Sequence, residues 1–473
     1  MYCALSRFRS ALIAILLCPA LAWLLPVSAD GGEANPKQTS ADNKPPNIVL
    51  LLSDDQAWTD YSFMGHPQIQ TPHLDRLARK SAVFRRGYVP TALCRPSLMT
   101  LITGRYAHQH GVCGNDPAAV NVARDSPEYN ALRAKLIAKI DRFDTLPELL
   151  GRRGYLSFQA GKWWEGNYAR GGFTHGMTRG FPEPGGRHGD DGLVIGRKGL
   201  QPVKDFVDEA VSKNRPFFIW YAPFLPHSPH TPPQRLLTKY QTPDTPGSVA
   251  KYYAMCEWYD ETCGELIQYL DDKGLHDQTM YVSLTDNGWI QDHQSSRFAL
   301  RSKQSPNEGG VRTPILLSWP GVIPSGERSE LISSIDLYPT MLAAAGIDIP
   351  PNLPGLNLLP ALKSGRPIER EAIFGEGFAH DVPDVDDPEA SLLYRWCIVG
   401  KWKLLLTYDG QVSDRLKWVH PRTERRPQLF DLSTDPHEEH NVAGTHPEVV
   451  AELVRRIEGW YPVRKRQTMT IFN

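Results

Sequence analysis

The chain is poor in cysteine, nearly neutral, and free of repeats or low-complexity tracts. Seven cysteines in 473 residues cannot build the dense framework of a small disulfide-held domain. A formal net charge of −1 excludes the basic footprint of a nucleic-acid-binding protein, and no strongly acidic tail takes its place. Glycine (38) and proline (40) are plentiful but follow no fixed period, which excludes fibres and repeat arrays. Beyond one run near the start, no apolar stretch approaches the length of a membrane span. What is present is an ordinary globular composition, 41% hydrophobic and 22% charged, long enough for two or three domains of a loop-rich enzyme or receptor.

Arg7 and Arg9 precede an apolar run from Ala11 to Val27, closed by the small-residue pattern Val27-Ser28-Ala29. This reads as a secretory signal over residues 1–29, with a single membrane anchor as the alternative; the run is short for a span. Residues 30–44 read as a polar, disordered leader. Loss of the two arginines with the signal takes the charge from −1 to −3. The expected product is exported, periplasmic or secreted, without stable membrane insertion and without a nucleic-acid partner. It keeps five cysteines: Cys94, Cys113, Cys256, Cys263 and Cys397. Cys256 and Cys263 fall seven apart in a predicted helix, about 10 Å between Cα atoms and too far to bridge.

Asn47–Ser53 (NIVLLLS) has the unbroken apolar pattern of a buried parallel strand. Pro216–Tyr221, Met280–Leu284 and Pro314–Trp319 repeat it. Helices are predicted from Thr71 to Ser81, with Thr71 as N-cap, after the capping box Thr145-x-x-Glu148, over Val249–Asp272, and over Asp336–Ala345. Strands alternating with helices predict an α/β layered sheet. Arg170–Gly199 is a long glycine-rich loop of the kind that is usually either functional or disordered. Past a polar boundary at Lys363–Arg370, short strands and a helix over Pro447–Tyr461 predict a small antiparallel sheet with one helix. The expected division is therefore a catalytic domain over 45–365 and an α+β subdomain over 366–473.

In open α/β sheets ligands bind beyond the carboxyl ends of the strands. Asp54-Asp55 and Asp286-Asn287 both fall at such ends, and three carboxylates with an amide suit a hard divalent cation. Each pair taken alone could merely cap a turn. Cys94 and Pro96 begin another predicted helix (LCRPSLMTLITGR, 93–105). That position favours an anionic substrate and a lowered thiol pKa.

Cys94-x-Pro96-Ser97 with Leu101-x-Thr103-Gly104-Arg105 resembles the sulfatase signature, in which the cysteine is converted to formylglycine. Ordered matches follow along the chain: Asn47–Asp55, Gly161-Lys162-Trp163, Pro226-His227-Ser228-Pro229, Thr285-Asp286-Asn287-Gly288, and Lys303 with Glu308–Pro314. Asp336–Thr340 and the closing Leu429–Leu432, Asp435-Pro436 and Glu439 complete the set. The resemblance implies an alkaline-phosphatase-like fold, a large mixed sheet between helices. It implies one Ca²⁺ held by Asp54, Asp55, Asp286, Asn287 and residue 94, with Lys162 and Lys303 on the sulfate and His227 protonating the leaving alcohol. A formylglycine-generating enzyme is then a partner. Two positions depart from the family pattern: Leu98 stands where arginine is usual, and Trp164 where histidine is usual, so Arg95, His110 or His175 is expected to substitute.

Trp163, Trp164, Tyr168, His175, Arg179, Arg187 and His188 are expected to form an aromatic and basic wall for a sulfated saccharide, with His230 as a further contact. Two other readings stay open: a phosphoester hydrolase of the same superfamily, and a sulfated-glycan binder impaired by Leu98 and Trp164.

Overall fold

The computed structural model describes residues 44–119, 122–408 and 427–464. The predicted signal and all but the last residue of the predicted leader lie outside the described residues. Strand Asn47–Ser53 is buried along its whole length. Ile48, Leu50 and Leu52 face one core while Val49 and Leu51 face another. A strand covered on both sides has no reason to alternate in polarity, as its sequence predicts.

Around it the large sheet runs in the order Ile332–Ser333, Ala82–Tyr88, Arg312–Ser318, Thr279–Thr285, Asn47–Ser53, Phe217–Ala222, Leu156–Gly161 and His175–Gly176. Gly326–Arg328 is added beside Ala82–Tyr88. Arg312–Ser318 is antiparallel to both neighbours, and the other pairings are parallel, so the sheet is mixed. Helices Cys94–Thr103, Leu146–Arg152 and Leu337–Ala344 cover one face. Pro72–Arg79, Gln201–Ser212 and Gly247–Asp272 cover the other.

The expected C-terminal sheet is present, ordered Ala372–Phe378, Leu392–Val399, Trp402–Thr407, Gln428–Asp431, and antiparallel throughout. One face (Cys397, Leu404, Leu406, Leu429) packs on Val450, Leu453 and Ile457 of helix Pro447–Trp460. The opposite face sends Trp396, Ile398, Leu405 and Phe430 into the same core as helix Cys94–Thr103. The small sheet therefore leans on the layer that carries residue 94.

One local expectation changes. Thr71 does not cap its helix through its side chain; the Asp260 carboxylate accepts from Leu74 N–H (2.7 Å) and His73 N–H (3.1 Å) instead. The capping box at Thr145 and Glu148 forms in both halves. The five cysteines are buried free thiols, Cys256 and Cys263 among them. Among the described residues no helix is long and apolar enough to cross a membrane.

Candidate active site

The parallel register sets the site. Ser53 pairs with Thr285, so Asp54 and Asp286 leave adjacent strands side by side. Asp55 turns back with a φ of 67°. Its N–H donates to Asp286 Oδ1 (3.1 Å), and Asn287 Nδ2 donates to its Oδ1 (2.7 Å). Lys162 follows strand Leu156–Gly161 two places across the sheet. At Gly161 φ is +99°, and a Cβ would lie 1.9 Å from the Ala222 carbonyl oxygen. Only glycine allows that crossing. It lets Lys162 N–H reach Ala222 O (2.8 Å) while Nζ donates to Asp54 Oδ1 (2.5 Å).

Residue 94 arrives from the other layer as the first residue of helix Cys94–Thr103, whose ten residues are all buried. Its Sγ stands 3.9 Å from both Asp54 Oδ1 and Asp55 Oδ1. Lys303 Nζ lies 3.2 Å from the same sulfur and 2.6 and 2.7 Å from the two Asp55 oxygens. His227 completes the ring, with Nε2 3.4 Å from Asp55 Oδ2 and Nδ1 2.5 Å from the Ser228 carbonyl. The eight residues assigned from the sequence to metal and catalysis are thus brought together.

Burial works against every charge here, and the neighbours decide the outcome. Burial pushes Asp55 up, but Lys303, His227 and Lys162 hold it below the ordinary carboxylate range. Asp54 and Asp286 remain above that range, because burial and repulsion from the other carboxylates outweigh the lysines. Lys162 and Lys303 are held above the ordinary amine range by the carboxylates despite burial. Burial and the two lysines keep His227 well below the usual imidazole value, against the pull of Asp55. The Cys94 thiol is pushed up by burial. Burial thus works against the lowering expected at a helix N-terminus.

Three carboxylates face two ammonium groups, leaving one negative charge in excess. Asp54 Oδ2, Asp286 Oδ2 and Asn287 Oδ1 are buried and accept no hydrogen bond. Buried oxygens without donors are costly unless something binds them. Asp54, Asp55, Cys94 and His227 each offer a ligand atom within 4.8 Å of the others; with the unbonded oxygens of Asp286 and Asn287 on the adjoining strand end, this donor set fits a divalent cation. With a 2+ ion the site becomes positive by one, matched to a sulfate monoester anion.

The other predicted contacts divide. His188 sits between Trp164 (5.4 Å between rings) and Phe224 (5.6 Å), its Nδ1 is buried without a partner, and burial pushes it down to about 3. His230 packs on Tyr252 and Trp289, and burial takes it to about 4. His175 is drawn away to Glu209 (3.3 Å) and Phe206 on helix Gln201–Ser212. Arg179, half exposed, pairs with Asp190 and Asp191 within its own loop. Trp163 is core, against Phe173 and Trp220. The continuous wall expected from this loop is not assembled.

None of the expected substitutes reaches residue 94. Arg95 is locked bidentately to Glu165 (2.8 and 2.7 Å), His110 faces Thr100 and the Val112 N–H, and His175 lies as above. Leu98 packs in the core, and Trp164 covers the Lys162 ammonium at 5.0 Å. The sequence reading missed Phe224, which stacks on His227 at 4.2 Å and lies 5.6 Å from Lys162 Nζ. It missed Tyr252, whose hydroxyl lies 3.4 Å from the Asp55 carbonyl, and Glu165. Only Phe224 carried a local signal, three residues before His227 in the same proline-rich stretch.

Comparison with known proteins agrees with this geometry. The Sulfatase family profile matches residues 46–347, and a profile described as N-sulphoglucosamine sulphohydrolase, C-terminal, matches 300–461. The chain is 30% identical to human N-acetylgalactosamine-6-sulfatase over 374 residues, covering 71% of this chain and 69% of the relative. It is 29% identical to human arylsulfatase A, over 87% of this chain and 86% of the relative. The solved structure of Ps i-CgsB in complex with k-i-k-neocarrahexaose superposes with a TM-score of 0.68 at 25% identity, covering 88% of this chain and 93% of the other. The alkaline-phosphatase-like architecture agrees with these matches: the chain belongs to the sulfatase family and is a sulfuric ester hydrolase.

Proposed function

We propose that the protein is an exported sulfatase of sulfated carbohydrate, acting through formylglycine at position 94 and one Ca²⁺. The observation that carries this reading is the set of three donorless buried oxygens, Asp54 Oδ2, Asp286 Oδ2 and Asn287 Oδ1, in a cluster that also holds the residue-94 side chain against Asp54 and Asp55. When present, the aldehyde hydrate supplies the attacking hydroxyl and the cation supplies Lewis-acid stabilisation of the sulfate. Asp54, Asp55, Asp286 and Asn287 hold the cation. Lys162 and Lys303, both buried, bring fixed positive charge to the sulfuryl oxygens, and burial strengthens such charge. His227 keeps its Nδ1 against the Ser228 carbonyl and turns Nε2 inward to give a proton to the leaving alcohol.

Saccharide as the substrate is supported by what the matched relatives are named for or bind, N-acetylgalactosamine-6-sulfate and neocarrahexaose. Trp164 packs beside the Lys162 ammonium and against His188, whose Nδ1 has no hydrogen-bond partner, so His188 is the polar group left for a substrate hydroxyl or sulfate. Mass spectrometry of the peptide holding residue 94, from protein made in its native host, should show the aldehyde. The same protein should release sulfate from a sulfated oligosaccharide and leave phosphate monoesters intact. An unmodified thiol in active protein would falsify the formylglycine assignment, and phosphate release in preference to sulfate would overturn the substrate assignment.

Loss of His188 and loss of Arg179 should differ. His188→Ala removes a hydrogen-bonding group with no internal partner, so KM for a sulfated oligosaccharide should rise roughly tenfold, as for one bond to a charged group. Arg179→Ala cuts only pairs within its loop and should leave KM within about twofold, since exposed pairs contribute little. Equal effects in the two variants would count against a substrate contact at His188.

A further inference from the structure

Lys303 stands on a strained loop. Arg301 (φ 57°) and Gln304 (φ 66°) flank it in left-handed backbone without being glycine. Such conformations persist only where the surroundings fix them. Part of the hold is local: Gln304 N–H donates to the Ala92 carbonyl (2.8 Å), tying the loop to the segment before Cys94. The rest comes from a turn more than 130 residues away.

That turn ends in Glu438, itself left-handed at φ 59° and 1% exposed. Its carbonyl accepts from Arg301 Nη1 (2.7 Å). Its carboxylate accepts from Glu308 N–H (2.7 Å) and Asn307 Nδ2 (2.9 Å) through Oε2. Oε1 lies 2.9 Å from the Lys403 ammonium of the small sheet, which also meets Glu308 Oε1 at 2.9 Å. Tyr88 OH donates to Glu308 Oε2 (3.0 Å). One residue therefore grips the Lys303 loop at both ends, at 301 and at 307–308. Its neighbour Glu439, the acid picked out from the sequence, is exposed and only donates its N–H to Asp435.

We propose that Glu438, backed by Lys403, is a positioning residue for Lys303. By this reading the C-terminal sheet contributes to catalysis by fixing where the Lys303 ammonium stands relative to Asp55 and residue 94. A buried, charge-assisted clamp suits that task, because it has one geometry and a high cost of rearrangement. Displacement of a catalytic ammonium by about 1 Å is enough to cost roughly 100-fold in rate.

The inference rests on the role given to Lys303 above, and two measurements separate the two claims. Hydrogen exchange on Glu438→Gln tests the clamp: amides of 301–308 should exchange faster while Leu392–Thr407 stays protected. Unchanged exchange at 301–308, or exposure of the whole small sheet, overturns the clamp. A kinetic cycle on 4-nitrophenyl sulfate tests its purpose. Glu438→Gln should lower kcat about 10- to 100-fold with KM within threefold, and cost less than threefold when Lys303 is already alanine. An equal loss in both backgrounds, or no loss with Lys303 present, overturns the positioning role. Glu438→Asp, which keeps the charge on a shorter arm, should recover part of kcat if the clamp acts through Lys403; no recovery relative to Glu438→Gln counts against Lys403 as its support.

Discussion

Chelation of divalent ions is expected to abolish turnover of sulfate esters and to lower the unfolding midpoint by a few degrees. Without a cation, Asp54, Asp55 and Asp286 are buried against two ammonium groups, and three oxygens have no donor. Burial and mutual repulsion raise Asp54 and Asp286, so protons are expected to compete with the ion for these carboxylates. Rebinding should release them, which calorimetry in buffers of different ionisation enthalpy reads directly. At an ion concentration 100 times the dissociation constant, the linkage adds about 2.7 kcal/mol of stability. Lewis-acid stabilisation of the transferring group amounts to several kcal/mol, so the rate should fall by at least about 100-fold. Asp286→Asn should share the low activity of the stripped protein and lose the response of its midpoint to added Ca²⁺. Full turnover in protein with less than a tenth of an equivalent of metal would defeat the cation assignment. Restoration by Mg²⁺ and not by Ca²⁺ would correct its identity.

Much of this site was legible in the sequence because strand ends are. A seven-residue apolar run followed by two aspartates places them at a carboxyl edge, and the parallel register brings Asp286 alongside. Strands Ala82–Tyr88 and Leu156–Gly161 were missed for a physical reason: they hold polar residues that only tertiary partners satisfy. Ser157 Oγ accepts from Thr174 N–H, and Gln159 bonds Gly161 O and Thr178 N–H, so neither shows a clean apolar pattern. The cap of helix Pro72–Arg79 was misassigned because Asp260 supplies it from nearly two hundred residues away. The loop from 170 to 199 misled in another way. Its basic residues resemble a recognition surface, yet Arg179 pairs with Asp190 and Asp191, Arg187 with Asp116, and His175 with Glu209. Composition gives the charges of a loop and not the pairing that spends them. Glu438 escaped because two adjacent glutamates look alike until one of them is buried.

Glu165→Ala is expected to cost about 3–5 kcal/mol of stability, measured by urea unfolding, the range for stripping the partner from a buried charge. Arg95 is 1% exposed and Glu165 3%. Two parallel bonds join them, and Arg95 Nη1 also donates to the Asn115 carbonyl (3.1 Å). Removal of the carboxylate leaves a guanidinium in the core with one remaining acceptor. The pair also has a position: Arg95 follows residue 94, and Glu165 comes three after Lys162. It thus fastens the helix that starts at Cys94 to the segment that carries the Asp54-bound lysine. Stability and placement can be told apart by replacing both residues, Arg95→Met with Glu165→Leu. Apolar exchange of a buried ion pair is often neutral or stabilising, so the double variant should recover most of the lost stability. If the pair also sets the distance between residue 94 and Lys162, kcat should stay at least about tenfold down in that stable protein. A stable double variant with normal kcat would make the pair structural alone. A single variant losing less than about 1 kcal/mol would mean that water or Asn115 satisfies the guanidinium, and that the clamp on this side of the site is weaker than its geometry implies.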